Sequence, residues 1–164
     1  RCLRTWLGCN SVDRPAVLEK LLLESELNDE QRKRVWLQSE AGAELPQEFY
    51  MRVIPGIAAM EDSPATATEM LDFHERITSH FPTQQSRSDL GESVVKAFRA
   101  SSSADAKARL AEWIKEIDND GAVKQLLGEA DLGDDDIDIL KPHFGKTKYW
   151  KQLERKRKKE SAPE

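Results

Sequence analysis

The sequence predicts an all-α protein, a bundle of short amphipathic helices. Apolar residues recur at i, i+3, i+4 spacing along most of the chain, no stretch alternates as a strand pair does, and neither Asn-Gly nor Gly-Asn offers a hairpin turn. Of the 164 residues 38% are hydrophobic and 34% charged, a balance that suits thin helical layers with large solvated faces. The regular apolar spacing excludes a wholly disordered chain. No run reaches the roughly 18 apolar residues of a membrane span, and no charged n-region leads into an apolar h-region, so a soluble intracellular protein is expected.

The elements follow in order. Asp13, Arg14 and Pro15 open a first helix with Val17, Leu18, Leu21 and Leu22 on its apolar face, the proline sitting where a missing N–H costs nothing. Asn28 and Gln31 form a capping box ahead of Val35, Trp36 and Leu37, and Gly42 closes that helix. Phe49, Tyr50, Val53 and Ile54 mark a shorter helix bounded by Pro46 before it and Pro55-Gly56 after it. Ser63-Pro64 opens the most regular helix, with Met70, Phe73, His74, Ile77 and Phe81 on one stripe before Pro82. Ser88 is expected to cap a helix carrying Leu90, Val94, Val95 and Phe98. Ser101 to Ser103 then separate it from one bearing Leu110, Trp113, Ile114 and Ile117, which Asp120-Gly121 stops. Weaker helices surround Leu126 and follow Asp134 to Asp136, whose carboxylates suit the positive end of a helix dipole. Thr147 caps a last helix with Tyr149, Trp150 and Leu153. The expected organisation is a short-helix part over residues 1–60, a helical bundle over 63–145 and a basic helix and tail over 146–164, with Trp36, Phe81, Gly91 and Trp113 as structural anchors.

Catalytic and metal chemistry find little purchase, and neither a cofactor nor a metal is expected. Cys2 and Cys9, seven residues apart on a helix, lie about 10 Å from each other, too far for a disulfide, so reduced thiols and a reducing compartment are expected. His74, His80 and His143 contain no i, i+4 pair for a metal. Glu116 to Gly121 imitates the start of an EF-hand loop, but its twelfth position is Leu127 where a bidentate Glu is needed. Gly145-Lys146-Thr147 imitates the end of a P-loop without its first glycine or its strand. The expected protein is therefore not an enzyme.

Charge is segregated beneath a formal total of −5. An acidic block of Glu129, Asp131, Asp134, Asp135, Asp136 and Asp138 precedes a basic tail with Lys146, Lys148, Lys151, Arg155, Lys156, Arg157, Lys158 and Lys159. Within the tail Lys148, Trp150, Lys151 and Arg155 are the candidate partner-binding residues. Two roles compete: contact with nucleic acid phosphates or an acidic partner, and pairing with the acidic block. A protein partner is preferred over nucleic acid, because an acidic chain opposes a polyanion.

Three motifs then align with a known family. Phe81-Pro82-Thr83, the run Ser88-Asp89-Leu90-Gly91-Glu92-Ser93-Val94, and Leu110-Ala111-Glu112-Trp113-Ile114-Lys115 stand in the order and approximate spacing of the N-terminal domain of transcription elongation factor TFIIS, which residues 73–117 resemble. The resemblance implies a nuclear, non-catalytic docking module that takes short disordered peptides in a groove between helices, with the matching residues supporting that groove. Separately, Arg1-Cys2-Leu3-Arg4 resembles the R-x-L-R string of oomycete host-translocated effectors, whose bodies are helical bundles built on buried Trp and Tyr. A structural or accessory subunit of a larger assembly is the further alternative. All three act by binding other macromolecules.

Overall fold

Side chains from neighbouring elements, as well as the loops themselves, take up the free ends of several helices. In the computed structural model, residues 14–40, 45–71, 80–117, 120–128 and 132–160 are described. Every regular element among them is a helix: α1 (Arg14–Leu23), α2 (Asp29–Glu40), α3 (Gln47–Ala58), α4 (Pro64–Leu71), α5 (Gln84–Ala100), α6 (Ala104–Glu116), α7 (Asp120–Gly128), α8 (Asp134–Phe144) and α9 (Lys148–Glu160). The all-α reading holds. The R-x-L-R string, Cys2, Cys9, Trp6, the Asp13 cap, Gly42, Phe73, His74, Ile77, Asp118, Glu129 and Asp131 lie outside the described residues.

The chain divides into two compact units, Arg1–Phe81 and Pro82–Glu164. The division falls after Phe81, so α4 belongs with the first three helices and α9 with the second unit, where the sequence reading separates them. The reason lies in α4's contacts: it packs against α2 and α3.

In the first unit α1 turns Leu18 and Leu22 inward, one helical turn apart. The Asn28 box forms as expected, with Gln31 N–H donating to Asn28 Oδ1 at 2.9 Å and Asn28 N–H donating to Gln31 Oε1 at 3.0 Å. Arg32, only 4% exposed, donates from Nε to Leu22 O at 3.1 Å and from Nη2 to Leu27 O at 3.0 Å, so a buried cation closes the carbonyl end of α1. Val35 and Trp36 are buried, whereas Leu37, expected on the same apolar run, is 44% exposed because it is a full 100° further round the helix. Tyr50 collects the aromatic core, with Trp36 edge-on at 6.3 Å, Phe49 edge-on at 5.4 Å and His80 stacked at 4.1 Å.

One expected boundary and one expected cap of this unit are corrected, while α4 opens at Pro64 as expected. Pro55-Gly56 does not end α3, which runs through it to Ala58 with Pro55 buried. Gly56 explains the arrangement: a Cβ there would stand 2.6 Å from Leu23 Cδ2, so the missing side chain is what lets the end of α1 close on α3. Ser63 does not serve α4 with its hydroxyl, which donates instead to Ile57 O at 3.1 Å. The first N–H groups of α4 go to the Asp29 carboxylate, from Ala65 at 2.9 Å and Thr66 at 3.3 Å. Lys33 reinforces this junction through Glu69 at 2.9 Å, and the Glu69 carboxylate holds its ammonium above the ordinary 10.5.

In the second unit the cap of α5 is Thr83 rather than Ser88. Ser86 N–H donates to Thr83 Oγ1 at 3.1 Å and Ser86 Oγ accepts from Thr83 N–H at 3.2 Å, a reciprocal box that places Ser88 inside the helix. Leu90, Val94 and Phe98 fall one turn apart and are buried. Gly91 is required by packing, since a Cβ would meet Ala122 Cβ at 2.6 Å where α5 crosses α7. Ser103 caps α6 through Ala106 N–H, and Leu110, Trp113, Ile114 and Ile117 are buried from it. That helix stops at Ile117, and Asp120-Gly121 opens α7 instead of merely closing α6, an acid being favourable in a helix's first turn and unfavourable at its last. α6 packs on α5, α7 and α8, while α9 lies over α7 and α8.

A candidate interaction surface on the last helix

Helix α9 begins where Thr147 Oγ1 accepts from Trp150 N–H at 3.2 Å. Trp150 and Leu153, three residues apart, are its buried members, and Arg157 continues their side. At 100° per residue Lys148, Lys151, Arg155, Lys158 and Lys159 fall within an arc of about 100° on the opposite side, a stripe roughly 16 Å long. All five are exposed. The spacing thus sorts the seven basic residues of α9 into Arg157, which packs, five on the outward stripe, and the exposed Lys156 to one side of it.

The candidates from the sequence separate accordingly. Trp150 is 3% exposed, and its Nε1 donates to Glu154 Oε1 at 3.0 Å, so it anchors the helix and offers no aromatic face to a partner. Lys148 is engaged with Asp120 of α7 at 3.1 Å and sits 4.8 Å from the Tyr149 ring. Its hydrogen bonds to Asp120 and Tyr149 hold the ammonium above the ordinary 10.5. Lys151 and Arg155, with Lys158 and Lys159, make no ion pair among the described residues. Of the anchors, Trp36, Phe81, Gly91 and Trp113 are all buried.

The acidic block is partly spent within the fold. Arg157 pairs with Asp134 and donates to Leu132 O at 3.0 Å, and Lys107 of α6 holds Asp136 at 2.6 Å. The expected pairing between block and tail is therefore made by Arg157, the basic residue on the inner side of α9, and leaves Lys151, Arg155, Lys158 and Lys159 of the outer stripe without an ion pair among the described residues.

Two grooves flank α9. One, about 280 Å³, runs between α8 and α9 with Ile137, Trp150 and Leu153 at its base and Lys141 and Lys158 among its walls. The other, about 180 Å³, lies toward α7 beside Leu127, Tyr149 and Lys156. Ile137 and Lys141 escape a reading of the basic tail because they belong to α8. Their only sequence signal is the one-turn spacing of Ile137, Leu140, Lys141 and Phe144.

Among the described residues no group of three or more His, Cys, Asp or Glu side chains is placed to hold a metal ion, and no helix is long and apolar enough to cross a membrane. Compared with protein-family models, with curated proteins and with solved structures, the chain matches none.

Proposed function

We propose that the chain is a non-catalytic interaction module that binds other proteins through the outer face of α9. The observation that carries this reading is the stripe of Lys151, Arg155, Lys158 and Lys159, exposed and without ion pairs among the described residues, in a unit whose Asp134, Asp136 and Asp120 are each matched by a cation. Like charges along one helix face cost stability when nothing answers them, and a bound acidic surface answers them. The TFIIS-like resemblance supports the same class. Phe81, Leu90, Gly91, Val94, Leu110 and Trp113, which carry it, are buried, as suits residues that support a docking site and do not touch the partner.

One observation favours the effector alternative as a second reading. Trp36 and Tyr50 are both buried, as the R-x-L-R resemblance implies of a body built on buried Trp and Tyr, and in this chain they meet edge to face. On that reading the partners are host proteins.

The test replaces Lys151, Arg155, Lys158 and Lys159 together by Gln and compares cross-linked partners with those of the unchanged chain by quantitative mass spectrometry. Truncation before α9 is no substitute, since it would strip Trp150 and Leu153 from the core. The expected result is loss of partners at an unchanged melting temperature. Retention of every partner overturns the reading. The partners' identity separates the alternatives: RNA polymerase-associated proteins favour the docking module, host immune proteins the effector, and subunits of one stable complex the accessory subunit.

A further inference from the structure

Helix α9 distributes its charges unevenly. At 100° per residue its exposed arc from Lys158 round to Lys156 spans about 160° and holds only Lys, Arg and Gln152, with no carboxylate between them. The two acids of the helix, Glu154 and Glu160, fall outside this arc, and Glu154 accepts from Trp150 Nε1 at 3.0 Å. Within the arc Lys151, Arg155, Lys158 and Lys159 form a tighter band about 100° wide and about 12 Å long. None of these four makes an ion pair among the described residues. Carboxylates border the band: Asp138 and Glu154 line one groove with Lys158, and Asp120 holds Lys148 at 3.1 Å.

We propose that the partner of this band is an acidic α-helix, laid along α9 with Asp or Glu on one face at three- and four-residue steps. The proposal rests on the reading of α9 as a protein-binding surface and gives the partner's charge pattern and secondary structure. Charge complementarity selects an acidic partner, and the dimensions of the band select its shape. A facing helix with acids at those steps covers the same width and length, so a carboxylate meets each of the four cations. An extended segment turns a residue to one side only every ~6.7 Å, so over the same length it offers two or three. A nucleic acid duplex is too broad. A helix about 10 Å across stays on the band, whereas a duplex reaches past it and brings phosphates against Asp138, Glu154 and Asp120.

The experiment titrates the full chain at low salt with fluorescent alanine-rich peptides of equal length and charge. One is a helix with Glu on a single face at three- and four-residue steps, another is a helix with the same Glu spread round its circumference, and the last is interrupted by Pro so that it cannot be helical. A covalent staple holds each helix against like-charge repulsion. A DNA duplex and an RNA strand of matched charge complete the set. The one-faced helix should bind about tenfold more tightly than the spread one, because about three more exposed charge pairs form, and more tightly than the Pro peptide or either nucleic acid. Lys151→Gln and Lys156→Gln each remove one exposed charge, the first inside the band and the second outside it. Lys151→Gln should weaken the one-faced helix about threefold and Lys156→Gln much less, whereas attraction to total charge alone lowers both alike. The comparison of peptides needs no altered protein, so it stands even if a variant fails to fold. Equal binding of the one-faced and spread helices, equal losses in the two variants, preference for the Pro peptide or either nucleic acid, or no binding of any peptide overturns the proposal. If the Gln substitutions in the stripe abolish partner capture while the one-faced and spread helices bind alike, the interaction surface survives and the helical partner does not.

Discussion

Trp113 and Trp150 make a matched pair of substitutions with opposite expected consequences. Both are buried, at 1% and 3% exposure, yet Trp150 Nε1 donates to Glu154 at 3.0 Å while Trp113 Nε1 meets no acceptor among the described residues. Replacing either by Phe deletes the same indole atoms, so the transfer and cavity costs are similar and the polar part decides. At Trp150 a hydrogen bond worth about 1 kcal/mol is lost. At Trp113 a buried unsatisfied donor, which costs about 1 to 3 kcal/mol, is removed. Trp150→Phe should therefore be the more destabilising by about 2 kcal/mol or more, although Trp113 is the more deeply buried. Trp113→Ala should still cost about 3 to 5 kcal/mol, a large part of the 5 to 15 kcal/mol typical of a domain. Urea unfolding of the full chain measures all three, with circular dichroism reporting the helices and indole N–H signals separating the transition of the second unit from that of the first. If Trp113→Phe costs as much as Trp150→Phe, the donor of Trp113 is satisfied in the folded protein.

Gly91→Ala drives a Cβ into Ala122 Cβ at 2.6 Å and should cost about 1 to 3 kcal/mol, seen as a lowered melting temperature; Gly56→Ala meets only the movable end of Leu23 and should cost less. Arg32→Met keeps the bulk of a buried side chain but leaves the Leu22 and Leu27 carbonyls without their donors, so about 2 kcal/mol should be lost from the urea stability of the first unit. Lys148, whose ammonium is held above 10.5, contributes fully below that value and loses its contribution only as pH rises through the raised one. The melting temperatures of the unchanged chain and Lys148→Gln should thus differ by one constant small amount between about pH 6 and 9, a gap that closes in stronger alkali.

The sequence made the helices legible wherever a signal was local. Asn28 with Gln31, Ser103 and Thr147 act within four residues of the groups they cap, and the stripes of α5 and α6 repeat within one element. Where the deciding contact came from elsewhere, the reading missed. Asp29 caps α4 from 36 residues away, a reach that no spacing rule covers. Pro55-Gly56 has the composition of a helix end, yet Gly56 is there to admit Leu23. The Thr83 cap is an exception, a local signal that was missed because Ser86, and not the usual Glu or Gln, returns the bond to Thr83. The surface divides in the same way: the basic stripe of α9 is visible as a helical period, whereas the groove needs Ile137 and Lys141 from α8 and so appears only once the helices are packed.

The charge argument against a polyanion changes once the units are known. Residues 1–81 contain nine Lys and Arg against fourteen Asp and Glu, while residues 82–164 contain sixteen of each, so the whole deficit of −5 belongs to the first unit. Screening confines an exposed charge to about 8 Å at physiological salt, so the total over the chain says little about α9. What counts there is local, and locally Asp134 and Asp136 are neutralised by Arg157 and Lys107 while Lys151, Arg155, Lys158 and Lys159 make no ion pair among the described residues. Net charge therefore no longer chooses between an acidic protein and a nucleic acid. Salt dependence separates the two, because a ligand held by phosphates alone loses nearly all its affinity as salt rises, whereas a protein partner keeps whatever part comes from apolar burial.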